Sequence, residues 1–248
     1  MEPVSPSLPT PPMRRCCAII PAYNAAGTIA PLVMQIRQLG VDTIVVNDGS
    51  TDQTARVAAE AGALVINLLT NQGKGLALRT GFTFARQANY DAIVTLDSDG
   101  QHDPAEIPRL LAASHQAGAD IVIGQRCVQG SVMPLVRQWT NHVMSTMISW
   151  LAKKPTPDSQ CGFRVIQRRV LDGLSLSSRR FDLESEFLLT ATRLGWTVTS
   201  VPIRTIYQNH RSHIRPLTDG LRFLWLVLRH VASSRPVAPR RLPMSDRA

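Results

Sequence analysis

The 248-residue sequence has little cysteine, and none of its four cysteines belongs to a Cys-x-x-Cys pair. Cys16 and Cys17 are adjacent, while Cys127 and Cys161 stand alone, so we expect reduced thiols rather than a disulfide scaffold. The sequence also lacks the run of about 18 apolar residues that a membrane-spanning helix needs. With 44% hydrophobic and 18% charged residues, it can still build a sizeable core, and its composition excludes wholesale disorder.

Acidic residues are scarce in the last part of the chain. From Arg204 onwards, nine arginines and two aspartates give +7 of the total net charge of +9. The positive charge of this stretch favours binding to anionic lipid and to nucleic acid equally, so charge alone does not identify the partner. A nucleic-acid-binding surface usually interleaves aromatic residues with arginine, whereas only 5% of this chain is aromatic and no aromatic residue follows Trp225. We therefore expect no nucleic-acid partner. A non-catalytic basic protein that binds nucleic acid remains the alternative to an enzyme.

Short apolar runs alternate with helical segments from Cys16 onwards. Continuous Val/Ile runs are typical of parallel strands that are covered on both faces, and this alternation predicts right-handed βαβ units. The fold class is therefore α/β, with a mainly parallel sheet flanked by helices. The predicted strands are 17–20 (ended by Pro21), 43–46, 63–68, 92–96 and 121–123, and the predicted helices are 28–39, 51–61, 75–88 and 104–116.

The pattern predicts one domain over residues 15–231. A proline-rich leader without the features of a signal peptide precedes it at 1–14, and a basic tail follows at 232–248; we expect both to be disordered. Residues 133–154 and 216–230 predict two amphipathic helices with basic ends, in the C-terminal half. Such helices suit a membrane surface, and packing on their own sheet is the alternative interpretation.

Polar residues follow four of the predicted strands, at 23–24, 48, 71–75 and 97–102. Ligands of parallel sheets bind beyond the carboxyl ends of the strands, so this clustering predicts an enzyme site there. Asp97 and Asp99 follow a strand and are separated by one residue, so both can reach a Mg²⁺ or Mn²⁺ ion, which would neutralise a diphosphate leaving group. A turn rich in Asp and Ser before Pro104 is the alternative interpretation.

Lys74 lies in a glycine-rich segment, Asn71-Gln72-Gly73-Lys74-Gly75, and is one of only three lysines beside 24 arginines. The segment does not match a Walker A motif, because Leu68 stands at the position of its first glycine and Gly75 replaces Ser/Thr. The first strand is not followed by Gly-x-Gly-x-x-Gly either. Nucleotidyltransferases use related loops, but they require a longer Gly/Arg/Lys signature directly after the first strand. The sequence does not favour that reaction.

Four motifs together resemble glycosyltransferase family 2, and most closely its dolichol-phosphate mannose synthase-like branch of polyprenyl-phosphate glycosyltransferases. They are Pro21-Ala22-Tyr23-Asn24, residues 46–52 (VNDGSTD), residues 71–75 (NQGKG) and residues 96–102 (LDSDGQH). Residues 159–164 (SQCGFR) and 181–186 (FDLESE) extend the resemblance, which covers about residues 16–230.

The resemblance implies a GT-A (Rossmann-like nucleotide-diphospho-sugar transferase) fold and transfer with inversion. It implies that Asp97 and Asp99 hold diphosphate and a Mg²⁺ or Mn²⁺ ion, with Gln101 as a further metal ligand. It also matches Arg126, and more loosely Arg137, to arginines that bind the acceptor phosphate. The donor-binding set is Pro21, Ala22, Tyr23, Asn24, Asp48, Gly49, Lys74, Asp97, Ser98 and Asp99.

Two departures from the family pattern concern donor binding and the loop around residues 207–215. Ala25 stands where a carboxylate is common after Asn24. Tyr207 and His213 stand where Arg and Lys are common, so Arg211 or Arg215 is expected to contact the acceptor phosphate instead. We expect no role for His102, as a solvent-facing loop residue, and a packing role for Cys161.

The expected reaction moves a hexose, mannose or glucose, from a GDP- or UDP-sugar to a polyprenyl phosphate. A phosphate is already an anionic nucleophile, whereas a sugar hydroxyl needs a general base. Asp182, Glu184 and Glu186 could supply that base or could simply begin a helix, so a saccharide hydroxyl acceptor in cell-surface glycan synthesis stays open. The expected location is cytoplasmic, peripheral at the cytoplasmic face of the membrane.

Overall fold

A computed structural model describes residues 15–126, 144–147, 149–150, 158–174, 176, 183–204 and 206. Its strands are β1 (Cys16–Ala22), β2 (Asp42–Asp48), β3 (Leu64–Leu68), β4 (Ala92–Thr95), β5 (Ile121–Arg126), β6 (Arg164–Gln167) and β7 (Val198–Ile203). Its helices are α1 (Ile29–Gln38), α2 (Thr54–Glu60), α3 (Lys74–Gln87), α4 (Ile107–Gln116), α5 (Arg168–Gly173) and α6 (Leu183–Arg193). A 3₁₀ turn, Pro104–Glu106, precedes α4, and residues 144–147 and 149–150 are also helical.

The strands form one sheet in the order β3-β2-β1-β4-β6-β5-β7. The pairs β1–β2, β2–β3, β1–β4 and β5–β7 are parallel, while β6 pairs antiparallel with both β4 and β5. The prediction of a mainly parallel sheet flanked by helices is confirmed. Because the chain continues from β1 to β2 on one side and places β4 on the other, the strand order reverses between β1 and β4, where ligands of such sheets bind.

Helices pack on the sheet through apolar faces with the expected spacing. In α1, the buried residues Ile29, Leu32, Val33 and Ile36 recur every three or four positions and pack against buried strands. Helix α3 lies especially close to β1, because a Cβ at Gly81 would come within 2.5 Å of Ile19 Cγ2. This close packing fixes the N-terminus of α3, and with it Lys74, relative to the end of β1.

The prediction that Pro21 ends the first strand is wrong, since β1 continues through Pro21 to Ala22. The pairing of β1 with β4 stops at Ile19, whose carbonyl oxygen accepts from Leu96 N–H. Backbone groups alternate along a strand, so the nitrogen of Pro21 faces this same side beyond the last paired residue. Its missing N–H therefore breaks no ladder bond.

The structure adds elements that the apolar pattern did not predict, namely β6, β7, α5 and α6. Of these, β6 matters most for the site, because an antiparallel strand begins at the edge where its parallel neighbours end. Thr95, the last residue of β4, pairs with Arg164, the first of β6. The turn before β6 therefore lies beside the carboxyl end of β4.

Residues 144–150 belong to the first predicted amphipathic helix. Met144 and Met147 are half-buried against the core, as the packing interpretation expects, whereas the Trp150 side chain is exposed. The leader 1–14, the tail 232–248 and the second amphipathic segment 216–230 lie outside the described residues. In the described part of the chain, no helix combines the length and apolar content that crossing a membrane requires.

Candidate active site

The candidate site is the crevice between the carboxyl ends of β1 and β4. Pro21 and Ala22 end β1 on one side, and Asp97 follows β4 on the other. Thr28, at the start of α1, joins the two sides by donating from its hydroxyl to the Ser98 carbonyl oxygen at 2.6 Å. The topology therefore brings the first and fourth motifs together at one edge.

Asp97 belongs to a charged cluster drawn from three elements. The Lys74 Nζ atom, at the N-terminus of α3, lies 2.6 Å from Asp97 Oδ1 and 2.6 Å from Glu184 Oε1. Glu184 is in the first turn of α6. We call this set the Asp97–Lys74–Glu184 cluster. Sequence reasoning placed Lys74 and Asp97 at the site but did not connect Glu184 with Lys74.

The cluster holds Lys74 and Asp97 in their charged forms. Burial lowers the pKa of Lys74, but the negative charges of Asp97 and Glu184 outweigh it and raise that pKa above its ordinary value. Burial acts to raise the pKa of Asp97, yet Lys74 and the contact with His102 hold that pKa well below its usual range. A carboxylate that stays ionised beside a cation is suited to binding cations and unsuited to acting as a base.

Gly162 leaves the space that the Asp97 carboxylate occupies. A Cβ on Gly162 would come within 2.6 Å of Asp97 Oδ1 and 2.8 Å of Oδ2, closer than real Cβ contacts allow. The Gly162 carbonyl oxygen in turn accepts from the Thr95 hydroxyl at 2.7 Å. The turn before β6 thus packs on the metal-ligand candidate through a glycine whose lack of a side chain is required there.

His102 is buried rather than solvent-facing, so that part of its prediction is wrong. Its Nε2 atom lies 3.6 Å from Asp97 Oδ2, and its ring packs against Phe163 with centroids 5.3 Å apart. Directly after His102, Asp103 caps the 3₁₀ turn that leads into α4. His102 therefore contacts one oxygen of the Asp97 carboxylate, while Lys74 contacts the other.

Asp99 and Gln101 form a tight turn after Asp97. Asp99 Oδ1 accepts from Gln101 N–H at 3.0 Å, and the Gln101 carbonyl oxygen accepts from Ile206 N–H at 2.9 Å. Ser98, Asp99 and Gln101 are all half-buried at the edge of the sheet. The turn interpretation of this segment is therefore confirmed, and the metal-ligand interpretation of Asp97 and Asp99 stays a prediction.

The residues of this turn fit a hard divalent cation. Two carboxylates and one amide oxygen are the ligand type that Mg²⁺ and Mn²⁺ prefer, with diphosphate and water completing the shell. Among residues 15–126 and the later described segments, no three His, Cys, Asp or Glu side chains converge as a complete protein cage. The Lys74 ammonium 2.6 Å from Asp97 Oδ1 shows that this carboxylate accepts a cationic partner.

The residues predicted to bind the nucleoside line the end of β1. Pro21 and Ala22 are buried, and the Tyr23 side chain is about half exposed. Asn24 has a positive φ of 50° and links two loops, since its N–H donates to Ser50 Oγ and its Oδ1 accepts from Thr51 N–H. Asn24 therefore joins the first and second motifs, and Tyr23 presents its ring at the surface beside them.

Asp48 and Gly49 support the glycine-rich segment that precedes α3. The buried Asp48 carboxylate accepts from the backbone N–H groups of Gln72 at 2.7 Å and Gly73 at 2.8 Å. Gly49 has a φ of +67°, and a Cβ there would come within 2.6 Å of the Asn71 backbone nitrogen. The second motif thus positions the third, a backbone role that the sequence did not reveal.

Arg126 ends β5 and is buried beside Asp158. Its Nε and Nη2 atoms donate to the two Asp158 carboxylate oxygens, both at 2.8 Å, in a bidentate pair. Such a pair fixes the orientation of a guanidinium group. The prediction that Arg126 binds acceptor phosphate stays a prediction, and Asp158 is a partner that sequence reasoning missed.

Arg164 is a further residue whose role the sequence did not predict. It is fully buried, and its guanidinium donates to the carbonyl oxygens of Cys161 at 2.8 Å and Ser159 at 2.7 Å, and of Glu184 at 3.3 Å. Burial lowers the pKa of Arg164, against the opposing charge of Glu184. Cys161 is buried as predicted, and burial raises the pKa of its thiol to about 12, which suits a packing role.

Several predicted residues lie outside the described part of the chain. They are the acceptor-phosphate candidates Arg137, Arg211 and Arg215, the base candidate Asp182, and the departures Tyr207 and His213. Of the departures, only Ala25 is described; its N–H donates to Thr54 Oγ1 at 2.7 Å.

Comparison with known proteins agrees with the fold and with the resemblance to a family of glycosyltransferases. The profile of the family described as Glycosyl transferase family 2 matches residues 17–174. The chain is 31% identical to the polyprenol monophosphomannose synthase of Mycolicibacterium smegmatis over 209 residues, covering 77% of each protein. It is 30% identical to the UDP-N-acetylglucosamine–dolichyl-phosphate N-acetylglucosaminyltransferase of Methanococcus voltae over 215 residues, covering 77% of this chain and 86% of the relative.

Among solved structures, the chain is similar to the glucosyl-3-phosphoglycerate synthase of Mycobacterium tuberculosis in complex with Mn²⁺, UDP-glucose and phosphoglyceric acid. The TM-score is 0.70 at 22% identity, covering 89% of this chain and 80% of the other. This likeness concerns the fold, which is the GT-A fold that the resemblance implied.

The sheet order and the likeness to a solved structure define the fold as GT-A. The chain belongs to glycosyl transferase family 2, and its relatives include members that act on polyprenyl phosphates. The family assignment made from the four motifs is confirmed.

Proposed function

We propose that the protein is an inverting, metal-dependent hexosyltransferase that moves mannose or glucose from a GDP- or UDP-sugar to a polyprenyl phosphate. The observation that carries this proposal is the Asp97-Ser98-Asp99 turn at the switch point, where an ionised carboxylate already holds a cationic group. Relatives named for polyprenol and dolichyl-phosphate acceptors support the acceptor class. Their names differ in the sugar, so the donor is a separate question.

In this proposal Asp97, Asp99 and Gln101 hold a Mg²⁺ or Mn²⁺ ion. A bound divalent ion supplies positive charge to the departing nucleoside diphosphate. Lys74 contributes a second positive charge at the N-terminus of α3, where backbone N–H groups also favour anions. Pro21, Ala22, Tyr23, Asn24, Asp48, Gly49 and Ser98 complete the proposed donor site.

A phosphate acceptor suits the observed contacts better than a hydroxyl acceptor does. A hydroxyl requires a general base, and Glu184, a candidate for that role, is already engaged with Lys74 at 2.6 Å. A phosphate requires positioning, which arginine performs through bidentate hydrogen bonds. We propose that Arg126, oriented by Asp158, binds the acceptor phosphate together with Arg137, Arg211 or Arg215.

A lipid-linked acceptor places the reaction at a membrane, and we propose peripheral binding at the cytoplasmic face. The exposed Trp150 side chain, in the helical residues 149–150, supports this location, because tryptophan favours the membrane interface. The net charge of +7 from Arg204 onwards would add attraction to anionic lipid, and we propose no nucleic-acid partner.

The test is transfer of radiolabelled sugar from nucleotide sugars to polyprenyl phosphate in detergent, with and without Mn²⁺. We expect organic-soluble, mild-acid-labile product from the wild type, and about a hundredfold less from Asp97→Asn and Asp99→Asn, because each removes a charged metal ligand. Glu60→Gln, which removes an exposed carboxylate on α2, is the matched control. Product that is water-soluble and acid-stable would instead indicate a saccharide hydroxyl acceptor.

The donor is identified by thermal unfolding with GDP- and UDP-sugars in the presence of Mn²⁺. A ligand that binds only the folded state raises the midpoint according to its affinity, so the true donor should give the largest shift. If no nucleotide sugar shifts the wild-type midpoint, with or without metal, the proposed donor site is wrong.

A further inference from the structure

Glu184 is a buried carboxylate that reaches the site from α6, 110 residues after Lys74 in sequence. Only 8% of its side chain is exposed, and its Oε1 atom accepts from Lys74 Nζ at 2.6 Å. Burying a carboxylate is unfavourable unless it is paired. Its contact with a lysine that also contacts Asp97 indicates a role beyond helix capping.

The position of Glu184 is fixed relative to Asp97 through the backbone. Its carbonyl oxygen accepts from Arg164 Nη1, and Arg164 also binds the carbonyl oxygens of Ser159 and Cys161. The next residue, Gly162, packs directly on the Asp97 carboxylate. Glu184 and the turn that supports Asp97 are thus held by the same buried guanidinium.

The charges of the site explain what Glu184 adds. Asp97, Asp99 and Glu184 carry three negative charges and Lys74 carries one positive charge, so these four side chains have a net charge of −2. Without Glu184 the net charge would be −1, and the Lys74 ammonium would lose one of the two carboxylates that it contacts. An arriving divalent cation would then compete with a less neutralised ammonium group for the Asp97 carboxylate.

We propose that Glu184 is a positioning residue that offsets the charge of Lys74 and so leaves Asp97 able to bind the divalent cation. This inference rests on the proposed metal site at Asp97 and Asp99. It assigns Glu184 to metal binding through Lys74 rather than to proton abstraction from an acceptor. Lys74 then remains close enough to contact the donor diphosphate without displacing the metal.

The experiment measures Mn²⁺ binding to the full chain by electron paramagnetic resonance, without donor or acceptor. We expect Glu184→Gln to weaken Mn²⁺ binding about tenfold, the scale on which outer-shell partners of metal ligands act. The double variant Lys74→Met/Glu184→Gln removes one charge of each sign, and should bind within about threefold of the wild type. Glu60→Gln is the matched control for loss of one negative charge and should bind as the wild type does.

The double variant distinguishes charge compensation from a structural role. If Glu184 acted only by holding α6 in place, or if Glu184→Gln simply misfolded, removing Lys74 as well would not restore binding, and the inference would be overturned. Equal binding by Glu184→Gln and the wild type would also overturn it.

Asp97→Asn separates this inference from the proposed function. Loss of Mn²⁺ binding in Asp97→Asn, with no effect of Glu184→Gln, leaves the metal site intact and rejects only the role of Glu184. If the wild type and Asp97→Asn bind Mn²⁺ equally weakly, the proposed metal site itself fails.

Discussion

At the scale of single residues, the site depends on a glycine that leaves space for its neighbour as much as on its charged side chains. Gly162 has room for no Cβ because the Asp97 carboxylate lies within 2.6 Å of where that atom would be. Lys74 and His102 contact the same carboxylate from two other directions. The orientation of Asp97 is therefore set by three neighbours that are far apart in sequence.

Replacing Gly162 by alanine should displace the Asp97 carboxylate. We expect Gly162→Ala to weaken Mn²⁺ binding and sugar transfer by about tenfold or more, with a smaller effect on stability because the displaced group is the end of a side chain. Metal titration and thermal unfolding measure the two effects. Gly27→Ala is the control, since no atom lies within 4 Å of a Cβ there; equal binding by both variants would contradict this account of Gly162.

At the scale of elements, the loops after the parallel strands support one another through backbone contacts. Asp48, at the end of β2, accepts from two N–H groups of the segment that leads into α3. Asn24, at the end of β1, links to the loop after β2. Three of the four motifs are thus connected before any ligand is bound, which favours a preformed donor site.

Gly49 is the position where these contacts between loops are most sensitive to substitution. Gly49→Ala would combine a left-handed φ of +67° with a Cβ pressed against the backbone of Thr70 and Asn71. Gly40→Ala shares the strained φ, at +74°, but has no atom within 4 Å. We expect Gly40→Ala to cost about 1 kcal/mol of unfolding free energy and Gly49→Ala about 2 kcal/mol more, as measured by urea denaturation. Equal losses of unfolding free energy in the two variants would show that the backbone at residue 70 moves easily to accommodate the added Cβ.

At the scale of the whole molecule, the antiparallel strand β6 brings the second half of the chain to the site. Its register with β4 places Arg164 beside Thr95, and Arg164 then binds the turn at 159–161 and the first turn of α6. Glu184 reaches Lys74 only because of this arrangement. The N-terminal half supplies the proposed metal ligands, and the later half determines their surroundings.

Arg164→Met tests this connection. It would leave three carbonyl oxygens without their donor, and buried unsatisfied groups cost about 1–3 kcal/mol each. We expect a loss of about 3 kcal/mol in unfolding free energy, with weaker Mn²⁺ binding because Glu184 loses its support. Arg56→Met, which removes an exposed arginine paired with Glu60, should change stability by less than about 1 kcal/mol. Similar stability of the two variants would show that Arg164 does not hold the halves together.

The fold class and most of the first four βα units could be predicted because their strands are continuous apolar runs between polar loops. The later elements could not, since β6 has only four residues and contains Arg164, and β7 has a half-buried, mixed pattern. Pro21 suggested a strand end, but whether proline breaks a strand depends on the neighbouring strand. His102 suggested a solvent-facing loop residue, because nothing nearby in sequence reveals the burial by Phe163.

The amino-acid sequence by itself determined the family, the parallel sheet and the carboxylates at its edge, because these follow from local apolar runs and from motifs of contiguous residues. The tertiary structure alone decided that Lys74 contacts both Asp97 and Glu184, that Asp48 supports a loop, and that Arg126 is paired with Asp158. These partners are between 23 and 110 residues apart. Their charges interact only when the strand order and the antiparallel return of β6 bring them within a few ångströms of each other.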